Sequence, residues 1–165
     1  MMYNLNKKCR KSIRLKNYDY RKDGFYFITI CIQNREQLLG KIFDNAYYIN
    51  DAGLMIKSIW NNLSKYYQGV ETHDFVVMPN HIHGIVELKN SSLDLSELIR
   101  RFKTFTTNQY IDGVHNYQWE SFHKTLWQRN YHEHIIRSDV SFEKLQSYIL
   151  TNPLQWRDDV FYGVE

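Results

Sequence analysis

Cysteine is almost absent from this sequence, in which Cys9 and Cys31 are the only two among 165 residues. Two isolated cysteines provide neither a disulfide framework nor the paired spacing of a zinc site. Cys31 lies within an apolar run, which is typical of a buried thiol. A disulfide-stapled secreted domain is therefore not expected, and the cytoplasm is the expected compartment.

Long hydrophobic runs are also missing. No apolar segment approaches the roughly 20 residues needed to cross a bilayer. The first residues are polar and basic, without the apolar core of a secretory signal. We therefore expect a protein with no membrane association.

Proline and glycine are scarce, with two and seven residues respectively. Long linkers are therefore not expected, and the sequence contains neither an internal repeat nor a low-complexity tract. A chain of this length can bury one hydrophobic core. We expect a basic arm over residues 1–22, followed by a single domain over residues 23–165.

The positive charge is concentrated at the amino terminus. The net charge is +3, yet the first 22 residues carry eight lysines and arginines against Asp19 alone. This pattern indicates either a polyanionic partner or a solvated tail, and the sequence leaves both open. The candidate DNA contacts are Lys7, Lys8, Arg10, Lys11 and Arg14 in this arm, with Arg100, Arg101 and Lys103 further along.

Aromatic residues are abundant, at 16% of the chain, and they occur in several β-branched segments that predict strands. Between these predicted strands, apolar residues recur every three or four positions, which predicts helices. The predicted strands cover residues 25–32, 74–78, 82–88 and 131–137, with a short one at 46–49. The predicted helices cover residues 51–67, a stripe beginning at Leu95, and a last helix that follows Ser138 or Asp139 and ends at Pro153.

The order of these elements predicts a fold class. Strand, helix, strand, strand, helix, strand is the ferredoxin-like βαββαβ arrangement of an α+β protein with an antiparallel sheet. The last helix is an addition to it. Residues 111–125 are predicted to be irregular.

The most informative segment is residues 76–86, where His81 and His83 follow a Pro-Asn turn inside an apolar strand. Residues at i and i+2 of a strand face the same side, and imidazole is the commonest metal-ligating side chain. Two buried structural histidines explain the spacing equally simply. A second such pair, His132 and His134, shows how easily the bare pattern recurs.

The last predicted helix offers two further candidates. Tyr148 and Asn152 are four residues apart and therefore share a helical face. The amide oxygen of Asn152 can ligate a hard cation, and the two residues could complete a site if this helix crosses the sheet. Each also has an ordinary explanation, since the chain has 13 tyrosines and asparagine before proline commonly ends a helix.

Three segments together resemble a known family. Residues 76–84, 126–137 and 148–153 are similar to those of the REP-associated tyrosine transposases, which belong to the single-tyrosine HUH transposase superfamily. The similarity runs in order from about Phe25 to Trp156. The resemblance implies the same ferredoxin-like fold, with Tyr148 carried by the additional carboxy-terminal helix.

The resemblance also implies a mechanism. His81 and His83 match the family's histidine pair, Tyr148 its nucleophile and Asn152 its third metal ligand, with Mg²⁺ or Mn²⁺ as cofactor. The implied reaction is cleavage and rejoining of single-stranded DNA bearing a hairpin, through a 5′-phosphotyrosine intermediate. The implied protein is nucleoid-associated, and it is a monomer or a homodimer.

Two other functions stay open at this point. Residues 24–30 resemble the RNP1 strand of RNA-recognition domains, although that motif belongs on the third strand rather than the first. A non-catalytic nucleic-acid-binding module is therefore one alternative, and a relative that regulates repeats without transposing is another. His132 and His134 could contact DNA or stabilise the fold.

Overall fold

The structure is a computed structural model that describes residues 23–43 and 46–158. The predicted DNA contacts of the basic arm, from Lys7 to Arg14, lie outside these residues. The strands are β1 (Gly24–Cys31), β2 (Gly40–Phe43), β3 (Ala46–Ile49), β4 (Val70–Met78), β5 (His81–Leu88) and β6 (His132–Ile136). The helices are α1 (Asp51–Asn61), α2 (Leu63–Tyr66), α3 (Leu95–Tyr117) and α4 (Asp139–Thr151).

Four strands form one antiparallel sheet in the order β4-β5-β1-β6. The β4–β5 pair is a hairpin, whereas β1 and β4 are joined through α1 and separated in the sheet by β5. This is the strand order of the ferredoxin-like fold, so the predicted α+β class is confirmed. The short strands β2 and β3 form a separate hairpin within the β1–α1 connection.

The helices begin at side-chain caps that the sequence provides. Asn50 accepts the Gly53 N–H at 2.9 Å before α1, and Asp94 accepts the Glu97 N–H at 2.8 Å before α3. Ser138 caps α4 by accepting the Ser141 N–H. Such caps satisfy amide donors that a helix leaves without internal partners.

The two faces of the sheet are covered differently. One face packs against α1 and α3 and holds the main core, which includes Ile28, Trp60 and Phe102. The other face carries His81 and His83 and packs against α4 around a smaller core. We call this second surface the histidine face. None of the helices in the described residues has the length and apolar character of a membrane span.

Three predicted boundaries were wrong. The helix predicted over residues 51–67 is interrupted at Asn62, and β4 begins at Val70, four residues before the predicted start. The region predicted to be irregular from residue 111 is helical to Tyr117. Packing explains this last difference. Gly113 has no Cβ, so the indole of Trp119 packs directly against the backbone of this part of α3.

Candidate active site

His81 and His83 lie side by side on the histidine face, just after the β4–β5 turn. Both are buried, with 0% and 1% of their surface exposed. Their Nε2 atoms are 3.0 Å apart. An apolar strand would normally place aliphatic side chains at these positions, so the paired polar atoms indicate a specific function.

Each imidazole is held through its second nitrogen. The Nδ1–H of His81 donates to Oδ1 of Asn80 at 2.8 Å, and Nδ1 of His83 lies 2.7 Å from the hydroxyl of Thr29. Asn80 is fixed in turn, because its amide donates to the carbonyl of Arg35. Hydrogen bonds of this kind set the tautomer and orientation of metal-ligating histidines.

The histidine pair lies in an electropositive environment. Burial, together with the nearby charge of Arg35, lowers the pKa of His81 to about 3. The ring is therefore neutral at physiological pH. Arg35 also places an exposed cation close to the histidines.

The phenol of Tyr148 reaches this pair from α4. Its oxygen lies 3.4 Å from Nε2 of His83. Phe27 supports both rings, since it stacks on His83 with centroids 5.3 Å apart and meets Tyr148 edge-on at 6.1 Å. A hydrogen bond of 2.7 Å from Gln146 to Asp74 attaches the same helix to β4.

The carboxy-terminal end of α4 brings further residues toward the histidines. Asn152 follows Tyr148 by one turn and is 1% exposed. The chain then continues as a 3₁₀ helix over Asn152–Asp158, in which the ring of Trp156 stacks 6.0 Å from that of His81. The structure thus brings His81, His83 and Tyr148 together and buries Asn152 at the adjacent end of the helix.

The histidine pair fits a divalent metal ion. Two ligands about 2.1 Å from an octahedral ion and at right angles to each other lie about 3.0 Å apart, which is the separation observed. Within the described residues, no cluster of three or more His, Cys, Asp or Glu side chains forms. Asn152, which is buried one turn after Tyr148, carries an amide oxygen, and hard cations accept such an oxygen as a ligand.

The predicted cations of α3 lie in the other layer of the fold. Arg100 and Arg101 both bond the carboxylate of Glu97 on an exposed surface, with the closest distances at 2.7 Å. The ammonium of Lys103 donates to the backbone carbonyls of residues 128–130. Lys103 therefore helps to hold this loop in place, and its predicted contact with DNA stays a prediction.

The second histidine pair shares the histidine face. In the sheet register, Thr29 of β1 is paired with both His83 of β5 and His132 of β6. His134 is similarly paired with Phe27. Both His132 and His134 are exposed, so neither contributes much to the core.

The strand that resembles RNP1 is β1, in the centre of the sheet, and its Tyr26 is fully buried. Phe25 and Phe27 are on the opposite face, where they pack against Phe142 and Tyr148 of α4. RNP1 belongs on the third strand of RNA-recognition domains, whereas this segment is the first strand, so the resemblance is confined to the residue pattern.

Sequence reasoning missed several residues of this site, namely Thr29, Asn80, Arg35 and Trp156. Thr29 had a visible signal, because it is the only hydroxyl residue in the apolar run of residues 25–32 other than the phenol of Tyr26. Asn80 was noticed only as a turn residue. Arg35 and Trp156 approach His81 through the tertiary fold, and no local pattern indicates them.

Comparison with known proteins identifies the family of this chain. The sequence profile of the family described as "Transposase IS200 like" matches residues 21–152. An uncharacterized protein of Haemophilus influenzae is 36% identical, with 97% of each chain covered. The REP-associated tyrosine transposase of Escherichia coli K12 is 26% identical over 82% of this chain and 70% of its own length.

A solved structure shares the fold. It is that of a REP-associated tyrosine transposase bound to a REP hairpin, with a TM-score of 0.62 and 24% identity, covering 88% of this chain and 74% of the other. The chain therefore belongs to the IS200-like transposase family. Its resemblance to REP-associated tyrosine transposases, first seen in three short segments, is confirmed over most of its length.

Proposed function

We propose that this protein cleaves and rejoins single-stranded DNA, with Tyr148 as the nucleophile. The observation that carries the proposal is the phenol of Tyr148, 3.4 Å from one of two buried imidazoles whose Nε2 atoms face each other. Two of these polar groups are on β5 and the third is on α4, and the two imidazoles are buried where an apolar strand would place aliphatic side chains. They are suited to holding a reactive phosphate.

In the proposed step, the Tyr148 oxygen attacks a backbone phosphorus and the bond to the 3′ oxygen breaks. The phenol loses its proton, the 3′ oxygen gains one, and the DNA is left attached as a 5′-phosphotyrosine. Attack by a 3′-hydroxyl on this linkage reverses the step and releases the tyrosine. No nucleotide cofactor is needed, because the covalent linkage conserves the energy of the phosphodiester.

A phenol has a pKa of about 10, so it is a weak nucleophile at neutral pH without an electropositive site. His81, His83 and Asn152 would hold a divalent cation, which when bound polarises the phosphate. None of these three ligands is charged, so they do not neutralise the cation. Mg²⁺ and Mn²⁺ both suit the set, and Mn²⁺ accepts imidazole more readily.

The proposed substrate is a DNA hairpin with a single-stranded flank. Support comes from the similar fold of a REP-associated tyrosine transposase that was solved with a REP hairpin. The site itself agrees, since the exposed Arg35 near His81 can pair with a phosphate. The basic arm adds a second region of positive charge, as +7 over residues 1–22.

The first test is Tyr148→Phe, which removes only the phenolic oxygen. We expect hairpin binding to be retained and the covalent protein–DNA band on denaturing gels to disappear. Tyr131→Phe is the matched control and should still form the band. A covalent band from Tyr148→Phe would show that another residue is the nucleophile.

A second test concerns the partner and uses salt dependence. Phosphate contacts release counterions, so affinity for a hairpin should fall as salt rises. Deletion of residues 1–22 should flatten that slope and leave adduct formation at low salt intact. Equal slopes for both proteins would mean that the arm is a solvated tail. Equal affinity for plain duplex and for hairpin would contradict the single-stranded substrate.

A further inference from the structure

A cavity of about 430 Å³ opens on the histidine face, at the end away from His81 and His83. It lies where β6 joins α4, and its lining includes Phe25, Phe142 and Arg137. Phe25 precedes Thr29 by four residues on β1, and Phe142 precedes Tyr148 by six residues on α4. The cavity and the histidines are thus two parts of one surface.

A β-bulge gives this cavity its floor. The register of β4 against β5 shifts between Thr72 and Phe75, and Phe75 stacks on Trp60 in the main core. Both intervening residues contact the histidine face, since His73 packs against the ring of Phe142 and Asp74 bonds α4. In a regular strand these neighbours would face opposite sides, and bulges often occur beside functional sites.

Three aromatic rings meet at this floor. The centroids of Phe25 and Phe142 are 5.4 Å apart at 81°, and His73 lies 5.3 Å from Phe25 and 5.6 Å from Phe142. All three side chains are only partly buried. Unpaired bases stack on aromatic residues, so the floor suits a base better than it suits a polar ligand.

The rim adds groups that match the rest of a nucleotide. Arg137 is exposed at the cavity and can bond a phosphate through two N–H groups. Asp139 also lines the cavity, and its carboxylate can accept from an N–H group of a base, such as the ring N–H of thymine. The negative charge of Asp139 disfavours a free phosphate ion and favours a ligand that carries both a base and a phosphate.

We infer that this cavity binds one unpaired base of the DNA strand whose scissile phosphate lies at Tyr148. The inference rests on the function proposed above. Six helical residues separate Phe142 from Tyr148, a distance of about 9 Å. Since one DNA strand advances about 3.4 Å per nucleotide in duplex form and further when unstacked, the bound base is one to three nucleotides from the reacting phosphate.

The experiment uses the full chain and DNA hairpins with oligothymidine flanks on both sides. One thymine at a time is replaced by 5-iodouracil, which crosslinks to nearby aromatic rings under ultraviolet light. We expect one position, or two adjacent ones, to crosslink to the peptides containing Phe25, His73 or Phe142. Phe142→Leu should remove most of that crosslink, and it keeps an apolar side chain in the small core.

Arg137→Gln provides a variant that cannot disturb the core, because its side chain is exposed. Loss of a charge-assisted contact should weaken hairpin binding about tenfold. Lys144→Gln is the matched control, since it removes an exposed charge on α4 outside the cavity and should bind as the wild type does. Equal affinity of the two variants would overturn the role of Arg137.

The outcomes separate this inference from the proposed function. If the wild type forms the covalent adduct but its crosslinks map to other peptides, the cavity is not the base site and the transposase chemistry stands. The same conclusion follows if Phe142→Leu keeps the crosslink in full. If the wild type neither binds the hairpin nor forms an adduct, both the function and the inference fail.

Discussion

The two His-x-His segments of this protein lie on the same sheet face, yet they have different environments. His81 and His83 on β5 are buried, and each Nδ1 has a hydrogen-bonding partner. His132 and His134 on β6 are exposed at the edge of the sheet. The comparison shows that strand position, rather than the sequence pattern, decides which pair is buried and held by hydrogen bonds.

The position within the sheet accounts for the difference. β5 is an inner strand, covered by α4 on the histidine face and paired on both sides with β4 and β1. β6 has only β1 as a neighbour. Burial removes water from the inner pair and strengthens each polar contact there, whereas the outer pair is solvated.

The largest expected effect is the difference in adduct formation between single alanine substitutions in the first histidine pair and those in the second. His81→Ala or His83→Ala should reduce adduct formation below detection, because each removes a proposed metal ligand. His132→Ala and His134→Ala should retain it, and their free energies of unfolding should stay within about 0.5 kcal/mol of wild type, as for other surface changes. Denaturing gels measure adduct formation, and urea titration measures the free energy of unfolding. Equal loss of the adduct after substitution in either pair would contradict the proposed difference between the two pairs.

Metal binding provides a second test of the difference between the two histidine pairs. Mn²⁺ titration followed by electron paramagnetic resonance should give one site, which His83→Ala removes and His134→Ala retains. Asn152→Ala should weaken Mn²⁺ binding, and Asn152→Gln should weaken it less because an amide oxygen is kept. Undiminished cleavage in excess chelator would contradict the metal site in every variant.

The smallest expected effect concerns the support of His83. Thr29→Val keeps the shape of the side chain but removes the hydroxyl that lies 2.7 Å from His83 Nδ1. Loss of such an outer contact typically costs 10–100-fold in metal affinity or activity, and we expect about tenfold here. Thr72→Val, on β4, is the control. If added Mn²⁺ fails to restore Thr29→Val, the hydroxyl has a role other than positioning the ring.

Much of the fold could be predicted, because aromatic and β-branched runs identify strands and apolar stripes identify helices. The last part of α3 could not, since residues 112–116 have low helix propensity and become helical through packing against Trp119. The convergence of His81, His83 and Tyr148 followed from family resemblance. Thr29 stands out as a hydroxyl residue in an apolar run, but its pairing with His83 could not be predicted, because it depends on the register between β1 and β5.

The division of this site between sheet and helix has a consequence for how activity is lost. The imidazoles lie on an inner strand next to the main core, whereas Tyr148 and Asn152 are on α4, which holds the smaller core. Segments with fewer buried contacts open at lower free energy than the rest of a fold. Amide protons of α4 should therefore exchange with solvent sooner than those of β5. On warming, α4 with its proposed nucleophile Tyr148 should unfold before the sheet does.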